Sequence, residues 1–268
     1  MPDMLTMNDG RTIPAIGFGT YLVPDADAGR ITRAALEVGY KLVDTAAFYG
    51  NERGVAAGLG DRDDIFVTTK LWRSDMGHDS TLRAFDTSLE KLGRDSVDLY
   101  LIHWPMPSLG TYVETWKALV RLRDEGRAKS IGVSNFSPGH LRAIIDATGV
   151  APALNQIELH PGFQQREARA FHAEHDIVTQ SWGPLGQGTL LSHPEIVRIA
   201  QARGCTPAQA ILAWHLHHGL AVIPKASSRE RLASNLAAHA VSLTHQDIAT
   251  IDTLNDPEGR LGPDPDKL

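Results

Sequence analysis

Asp44, Tyr49, Lys70 and His103 supply a carboxylate, a phenol, an amine and an imidazole, each at or just beyond the end of a short apolar run. That set can hand a proton to an oxygen. A free phenol titrates near about 10, too weak an acid for neutral pH, so a nearby cation has to favour its ionised form. Lys70 can supply that charge, and Asp44 can pair with Lys70 and keep the ammonium protonated in a partly dry site. His103, donating through one ring nitrogen, can orient a carbonyl oxygen and share its developing negative charge. A lysine in such a place can also attack a carbonyl, so Lys70 or Lys225 leaves a Schiff-base lyase reading open. Any one of these residues could instead form a structural ion pair or satisfy loop amides, and it is the four together that point to chemistry.

Elements that could gather them recur along the chain. Eight β-branched apolar runs stand at 15–20 (AIGFGT), 41–46 (KLVDTA), 65–70 (IFVTTK), 98–104 (DLYLIHW), 130–135 (SIGVSN), 153–158 (ALNQIE), 177–182 (IVTQSW) and 221–226 (AVIPKA). Each is near-continuously apolar, as strands buried on both faces are. Amphipathic segments lie between them, several starting at Ser or Asp and stopping at Gly. This alternation predicts an α/β fold with a parallel sheet, and eight repeats fit a closed (β/α)8 TIM barrel. The rival, an open doubly wound sheet, usually carries GxGxxG after its first strand, whereas the first run offers only Gly17 and Gly19. Residues 5–15 alternate around Asp9-Gly10 and predict a β-hairpin capping the barrel bottom, and 206–219 predict an extra helix near the C-terminus before the eighth strand. Barrel sites sit where strands end. Besides the four residues above, those ends carry Ser134, Asn135, Gln156, Trp182 and Lys225.

Composition narrows the partners. The 268 residues are 42% hydrophobic, enough for one domain spanning 1–268. Lys and Arg number 26 against 32 Asp and Glu, a net charge of -6 that gives no footprint for nucleic acid or an anionic membrane. The start MPDMLTMNDGR lacks the basic and apolar parts of a targeting signal, so the expected location is cytoplasmic. Cys205 is the single cysteine, which precludes an internal disulfide, and it reads as a small buried filler. His215, His217 and His218 cluster, but with no carboxylate or cysteine evident beside them no metal site is expected.

The segments VDTAAFYGNE, TTKLW, LIHWP, GVSNF, NQIELHP, SWGPLGQG and IPKASSRERLASN resemble, in order, the aldo-keto reductase family, and most of all its bacterial 2,5-diketo-D-gluconate reductase branch. The resemblance implies NADPH-dependent reduction of aldehydes and ketones to alcohols, among them dicarbonyls and keto sugars, with Asp44, Tyr49, Lys70 and His103 catalytic. It implies that Trp182 stacks on the nicotinamide and that Ser134, Asn135 and Gln156 bond its carboxamide. Gly183, Pro184, Leu185, Gly186, Gln187 and Gly188 would approach the pyrophosphate, and Gly19, Thr20, Asp44 and Ile223 would line the cofactor. Lys225, Ser227, Ser228 and Arg231 would receive the adenosine 2′-phosphate, with Ser234 and Asn235 also against the cofactor and Arg260 folding over the adenine side. Ala226 and Ser228 depart from frequent family choices of Ser and Arg, which loosens the phosphate grip and leaves NADH as a weaker second cofactor. Tyr21, Phe48, Trp72 and Trp104 would join Tyr49 and His103 around the substrate. The short 106–111 loop and brief tail imply an open site, and the family habit implies a monomer. Some relatives bind the nicotinamide chiefly to regulate partners, so a redox-sensing module is the alternative function.

Overall fold

A run that is apolar on both faces has to be covered on both, and closing a parallel sheet inside a ring of helices does this. In the computed structural model, which describes residues 3–268, the predicted barrel is present. Met1 and Pro2, part of the amino-terminal stretch considered above, lie outside the described residues. An antiparallel pair, β1 (Met4–Thr6) and β2 (Thr12–Pro14), comes first. The parallel staves follow as β3 (Phe18–Gly19), β4 (Leu42–Asp44), β5 (Phe66–Leu71), β6 (Val97–Ile102), β7 (Ala128–Ser134), β8 (Leu154–Glu158), β9 (Val178–Trp182) and β10 (Ala221–Val222), each beside the next. A parallel bridge between Ile16 and Val222 closes the ring, with Gly17 N–H donating to Val222 O at 2.8 Å.

Side chains alternate across a strand, so every second residue of each stave faces the axis. Leu42, Leu99, Leu101, Leu154 and Ile223 pack with Met7 and Ile13 of the β1–β2 hairpin as one apolar plug at the bottom. Two residues on along the same faces come Asp44, His103 and Gln156, while Lys70 tops the inner face of β5. The barrel interior is therefore apolar below and polar above, and the predicted hairpin seals the apolar end.

Helices α1 (Asp25–Val38), α2 (Glu52–Leu59), α3 (His78–Leu92), α4 (Tyr112–Asp124), α5 (Pro138–Thr148) and α6 (Arg166–Glu174) return the chain between staves. α7 (Pro194–Ala202) and α8 (Pro207–His217) both lie between β9 and β10, and α9 (Arg229–Leu236) and α10 (His245–Asp252) follow. Gly39, Gly93 and Gly149 end α1, α3 and α5 in the left-handed region, as a C-cap requires. One assignment changes. The segment predicted as an extra helix, α8, is buried from Ala210 to Leu216 and bonds β9, with His215 Nδ1 3.1 Å from Ser181 Oγ, so it is the barrel's own helix. The added outer helix is α7, which packs on α8 and α10. An apolar circumference rather than a stripe marks α8 as covered on all sides.

Two histidines in this frame are held neutral. His215 Nε2 faces Pro184 O at 3.1 Å, so Nε2 donates and Nδ1 accepts from Ser181; burial pushes its pKa down to about 3. His172 lies between Thr179 and Asn155, and burial pushes it down to about 4. An unfolded chain binds protons here near its ordinary 6.5 that the folded chain refuses, so stability is full above that value and lost as pH falls towards 4. Urea unfolding across this range should show stability declining by about 1.4 kcal/mol per pH unit for each such histidine, and His172→Gln should remove one such increment. An unchanged slope in that variant would show His172 to be protonated in the fold.

Candidate active site

Lys70 is the anchor of the upper layer. It is fully buried, and its ammonium donates three ways: to Asp44 Oδ1 at 2.5 Å, to Thr45 O at 3.0 Å and to Tyr49 Oη at 3.3 Å. Asp44 uses its other oxygen to accept from Gln156 Nε2 at 2.8 Å. Burial pushes Asp44 up and Lys70 down, each towards its neutral form, and the charge and hydrogen bond between them oppose both shifts. Tyr49 departs from the expectation that Lys70 would lower it. Burial, with the charge of Asp44 and the neighbouring Tyr21, holds the phenol well above 10. The phenol therefore stays protonated at neutral pH, and the cation beside it matters once the proton is leaving.

Tyr49 rides on a short 3-10 turn, Ala47–Tyr49, between β4 and α2, closed by Gly50 in the left-handed region. What fixes that turn is Asn51, which the sequence pattern did not single out. It is wholly buried, accepts from Thr45 Oγ1 at 2.7 Å, and donates to Thr20 O at 3.0 Å and Val23 O at 2.9 Å. All three bonds end in the loops after β3 and β4, so one amide sets the approach of Tyr21 and Tyr49, whose rings lie 5.1 Å apart.

His103 follows β6, with its ring 5.6 Å from that of Tyr49 and 5.3 Å from that of Trp72. Burial, then the charge of Lys70, hold it well below 6.5 and so uncharged. Its Nδ1 is sealed without a partner. Among the described residues Nε2 has no partner either, and His103 lines a cavity of about 750 Å³.

That cavity sits over the barrel mouth. Its lining includes Asp44, Tyr49 and His103, the aromatic residues Tyr21, Phe48, Trp72 and Trp104, and the cofactor candidates Gly19, Ser134, Asn135, Gln156, Trp182, Gly183, Pro184, Leu185, Gln187, Gly188, Ile223 and Lys225. Phe48 stacks on Trp72 at 3.8 Å. Trp182 is oriented by Nε1 donating to Asn135 Oδ1 at 2.7 Å, and Asn135 spends its amide hydrogens on His103 O and Ser134 Oγ. Gly183, Gly186, Gln187 and Gly188 all have positive φ, a path that glycine takes without strain. Thr20 and Gly186 lie just behind the lining, Thr20 bonded to Asp44 O. Ser227, Ser228 and Arg231 are exposed at the start of α9, where Ser228 caps the helix, and Asn235 is buried one turn on from Arg231 with Ser234 beside it.

The Arg260 guanidinium stacks over Phe163 at 4.7 Å and lines a second cavity with His140 and Asp266. Leu261, Gly262 and Pro263 of the tail also line the cavity over the mouth. Leu22 and Pro224 line it too, and neither was singled out by type. Asp252 accepts from His218 at 3.0 Å, a carboxylate the sequence did not reveal, yet no group of metal-holding residues occurs among the described residues. Cys205 is half-buried, and burial raises its thiol rather than activating it.

Residues 15–256 match the Aldo/keto reductase family model. The chain belongs to this family. It is 50% identical to an aldo-keto reductase of Mycobacterium sp. (strain KMS), covering 98% of this chain and 96% of that one. It is 44% identical to the methylglyoxal reductase DkgA of Escherichia coli (strain K12), covering 100% and 98%. The crystal structure of a Gox0644 mutant in complex with NADPH superposes with a TM-score of 0.98 at 50% identity, covering 99% of this aldo-keto reductase and 98% of that chain. No helix among the described residues is long and apolar enough to cross a membrane.

Removing the Asn51 amide would leave Thr45 Oγ1 and two buried carbonyls unpaired. Asn51→Ala should cost about 3 kcal/mol in urea unfolding and lower turnover more than NADPH binding. A loss within about 0.5 kcal/mol would show that water replaces the clamp.

Proposed function

We propose that the protein reduces small aldehydes and α-dicarbonyls to alcohols with NADPH. The observation that carries this reading is the Lys70 ammonium joined at once to Asp44 and to the Tyr49 hydroxyl, beside an uncharged His103 in one aromatic cavity. The cavity suits a nicotinamide cofactor. Gln156 spends both amide hydrogens on Asp44 and Gln180, so Oε1 is what it has left to offer, an acceptor for a carboxamide N–H. Trp182 gives a fixed flat wall, and the glycine turn exposes backbone to a pyrophosphate. Arg229 is tied to Glu37, whereas Lys225 and Arg231 have no ion-pair partner among the described residues, leaving two cations and the Ser227 and Ser228 hydroxyls for a 2′-phosphate. The NADPH complex of the similar Gox0644 supports this choice.

NADPH supplies the hydride when bound. His103 donates from Nε2 to the carbonyl oxygen and fixes its direction. Tyr49 passes its proton to that oxygen as it becomes an alkoxide, a base stronger than any phenolate, so a raised phenol pKa does not stop the transfer. Lys70 stabilises the tyrosinate left behind, and Asp44 keeps Lys70 charged. The same bonds count against a Schiff-base role for Lys70, because a buried lysine with all three hydrogens donated has no free lone pair to attack a carbonyl. Tyr21, Phe48, Trp72 and Trp104 give apolar walls with few polar anchors, which suits a range of small carbonyls. The similarity to a methylglyoxal reductase supports the dicarbonyl class.

Tyr49→Phe should lower turnover of methylglyoxal by about 10³-fold with NADPH binding nearly unchanged. Equal weakening of both would remove Tyr49 as proton donor. With His103 uncharged well below 6.5 and Tyr49 protonated well above 10, the reduction rate should be level through neutral pH and fall on the alkaline side, where Lys70 loses its proton. A rate that rose as pH fell through 6.5 would place a charged histidine in the mechanism. Arg231→Ala should raise KM for NADPH about tenfold while that for NADH stays put, and an unchanged ratio would remove the phosphate contact.

A further inference from the structure

The inner face of β8 ends in a second buried carboxylate that the chemistry above does not use. Glu158 is 1% exposed, and it accepts from the backbone N–H of Leu261 at 2.6 Å and of Gly262 at 2.9 Å. His160 Nε2 lies 3.3 Å from the same carboxylate. Burial alone would raise this carboxyl, but the bonds from His160, Leu261 and Gly262 outweigh it and hold Glu158 below the ordinary carboxylate range. Two consecutive peptide N–H groups of an irregular segment thus find one side chain where a neighbouring strand would ordinarily serve. At this end of the segment one side chain holds both N–H groups.

What the segment does follows from where it runs. Gly262 lies flat against Trp182: a Cβ there would stand 2.6 Å from the indole and 3.0 Å from Glu158 Oε2, so only glycine fits between carboxylate and ring. Leu261 and Pro263 on either side line the cavity, and Leu261 keeps 43% of its surface exposed, an apolar side chain left open over the mouth. Farther on, Pro265 is buried, and Ser108 N–H donates to Leu268 O at 3.2 Å, which fastens the chain end to the loop after β6. Residues 261–268 are therefore a strap from β8 to the 106–111 loop, held by Glu158 at one end.

We propose that Glu158 is a positioning residue for carbonyl selection: by latching Leu261 and Gly262 it makes the C-terminal strap a fixed wall of the cavity and so sets the size of carbonyl that fits. This rests on the reductase reading above. Tyr49, Lys70 and His103 stand on or beside barrel strands and owe nothing to the strap, so the latch acts on substrate fit and not on proton transfer.

The test compares four proteins: the wild type, Glu158→Gln, a chain ending at Arg260, and both changes together. KM and kcat are measured for methylglyoxal and for a bulky naphthaldehyde, with the NADPH dissociation constant measured alongside. Glu158→Gln and the truncation should each raise KM for methylglyoxal about tenfold, shift the preference towards the bulky aldehyde and leave kcat within about twofold, and Glu158→Gln should add nothing to the truncated chain. Hydrogen exchange at the Leu261 and Gly262 amides should quicken in full-length Glu158→Gln. Losses that multiply in the combined variant, or an effect confined to NADPH binding, would overturn the latch. Leu261→Ala, altered at an exposed side chain, gives the same KM shift if the wall is real, even where the truncated chain fails to fold. A wild type that turns over neither carbonyl would refute the reductase reading, and the exchange rates would then decide the latch: unchanged rates in Glu158→Gln would overturn it.

Discussion

A lysine ammonium sealed inside a protein is costly unless nearly every proton on it is bonded and a counter-charge stands beside it. Much of the upper barrel meets that demand for Lys70. Asp44 gives the charge, Thr45 a carbonyl and Tyr49 a hydroxyl; Gln156 then satisfies the second oxygen of Asp44, and Gln180 orients Gln156. Removing one partner of such a pair typically costs 3–5 kcal/mol. The network that makes Tyr49 a proton donor thus also holds β4, β5, β8 and β9 in register, so stability and chemistry depend on the same few bonds.

The vertical division of the barrel makes this affordable. Below, Leu42, Leu99, Leu101 and Leu154 with Met7 and Ile13 fill the axis with apolar side chains. Above, the same strand faces turn polar within two residues. The cavity is open only towards the loops, where a carbonyl would enter between aromatic walls.

Much of this was legible because parallel barrels translate sequence into position directly: a polar residue ending an apolar run lies at the mouth. Asp44, Lys70, His103, Gln156 and Trp182 were all read that way, and the hairpin followed from Asp9-Gly10. Residues whose work depends on distant partners were not legible. Asn51 drew no notice because its three partners lie in two different loops, nor did Glu158, because the N–H groups it holds are about a hundred positions away. The contacts of the tail, Leu261 on Glu158 and Arg260 on Phe163, were not legible either, because no local pattern sets its path. The role of α8 was misread because two consecutive helices both suit one crossover, and which one touches the sheet is decided by packing. The direction of the Tyr49 shift escaped too: spacing shows that a cation is near, but only burial shows that desolvation outweighs it.

The central claim is that Lys70 acts through Tyr49. Kinetics of Tyr49→Phe, Lys70→Met and the double variant, on protein that still binds NADPH, test it most directly. If the two work as a unit, each single change lowers methylglyoxal turnover by about 10³-fold and the double variant is no worse than either. Losses that multiply, or a Lys70→Met enzyme that keeps its turnover, would contradict the account.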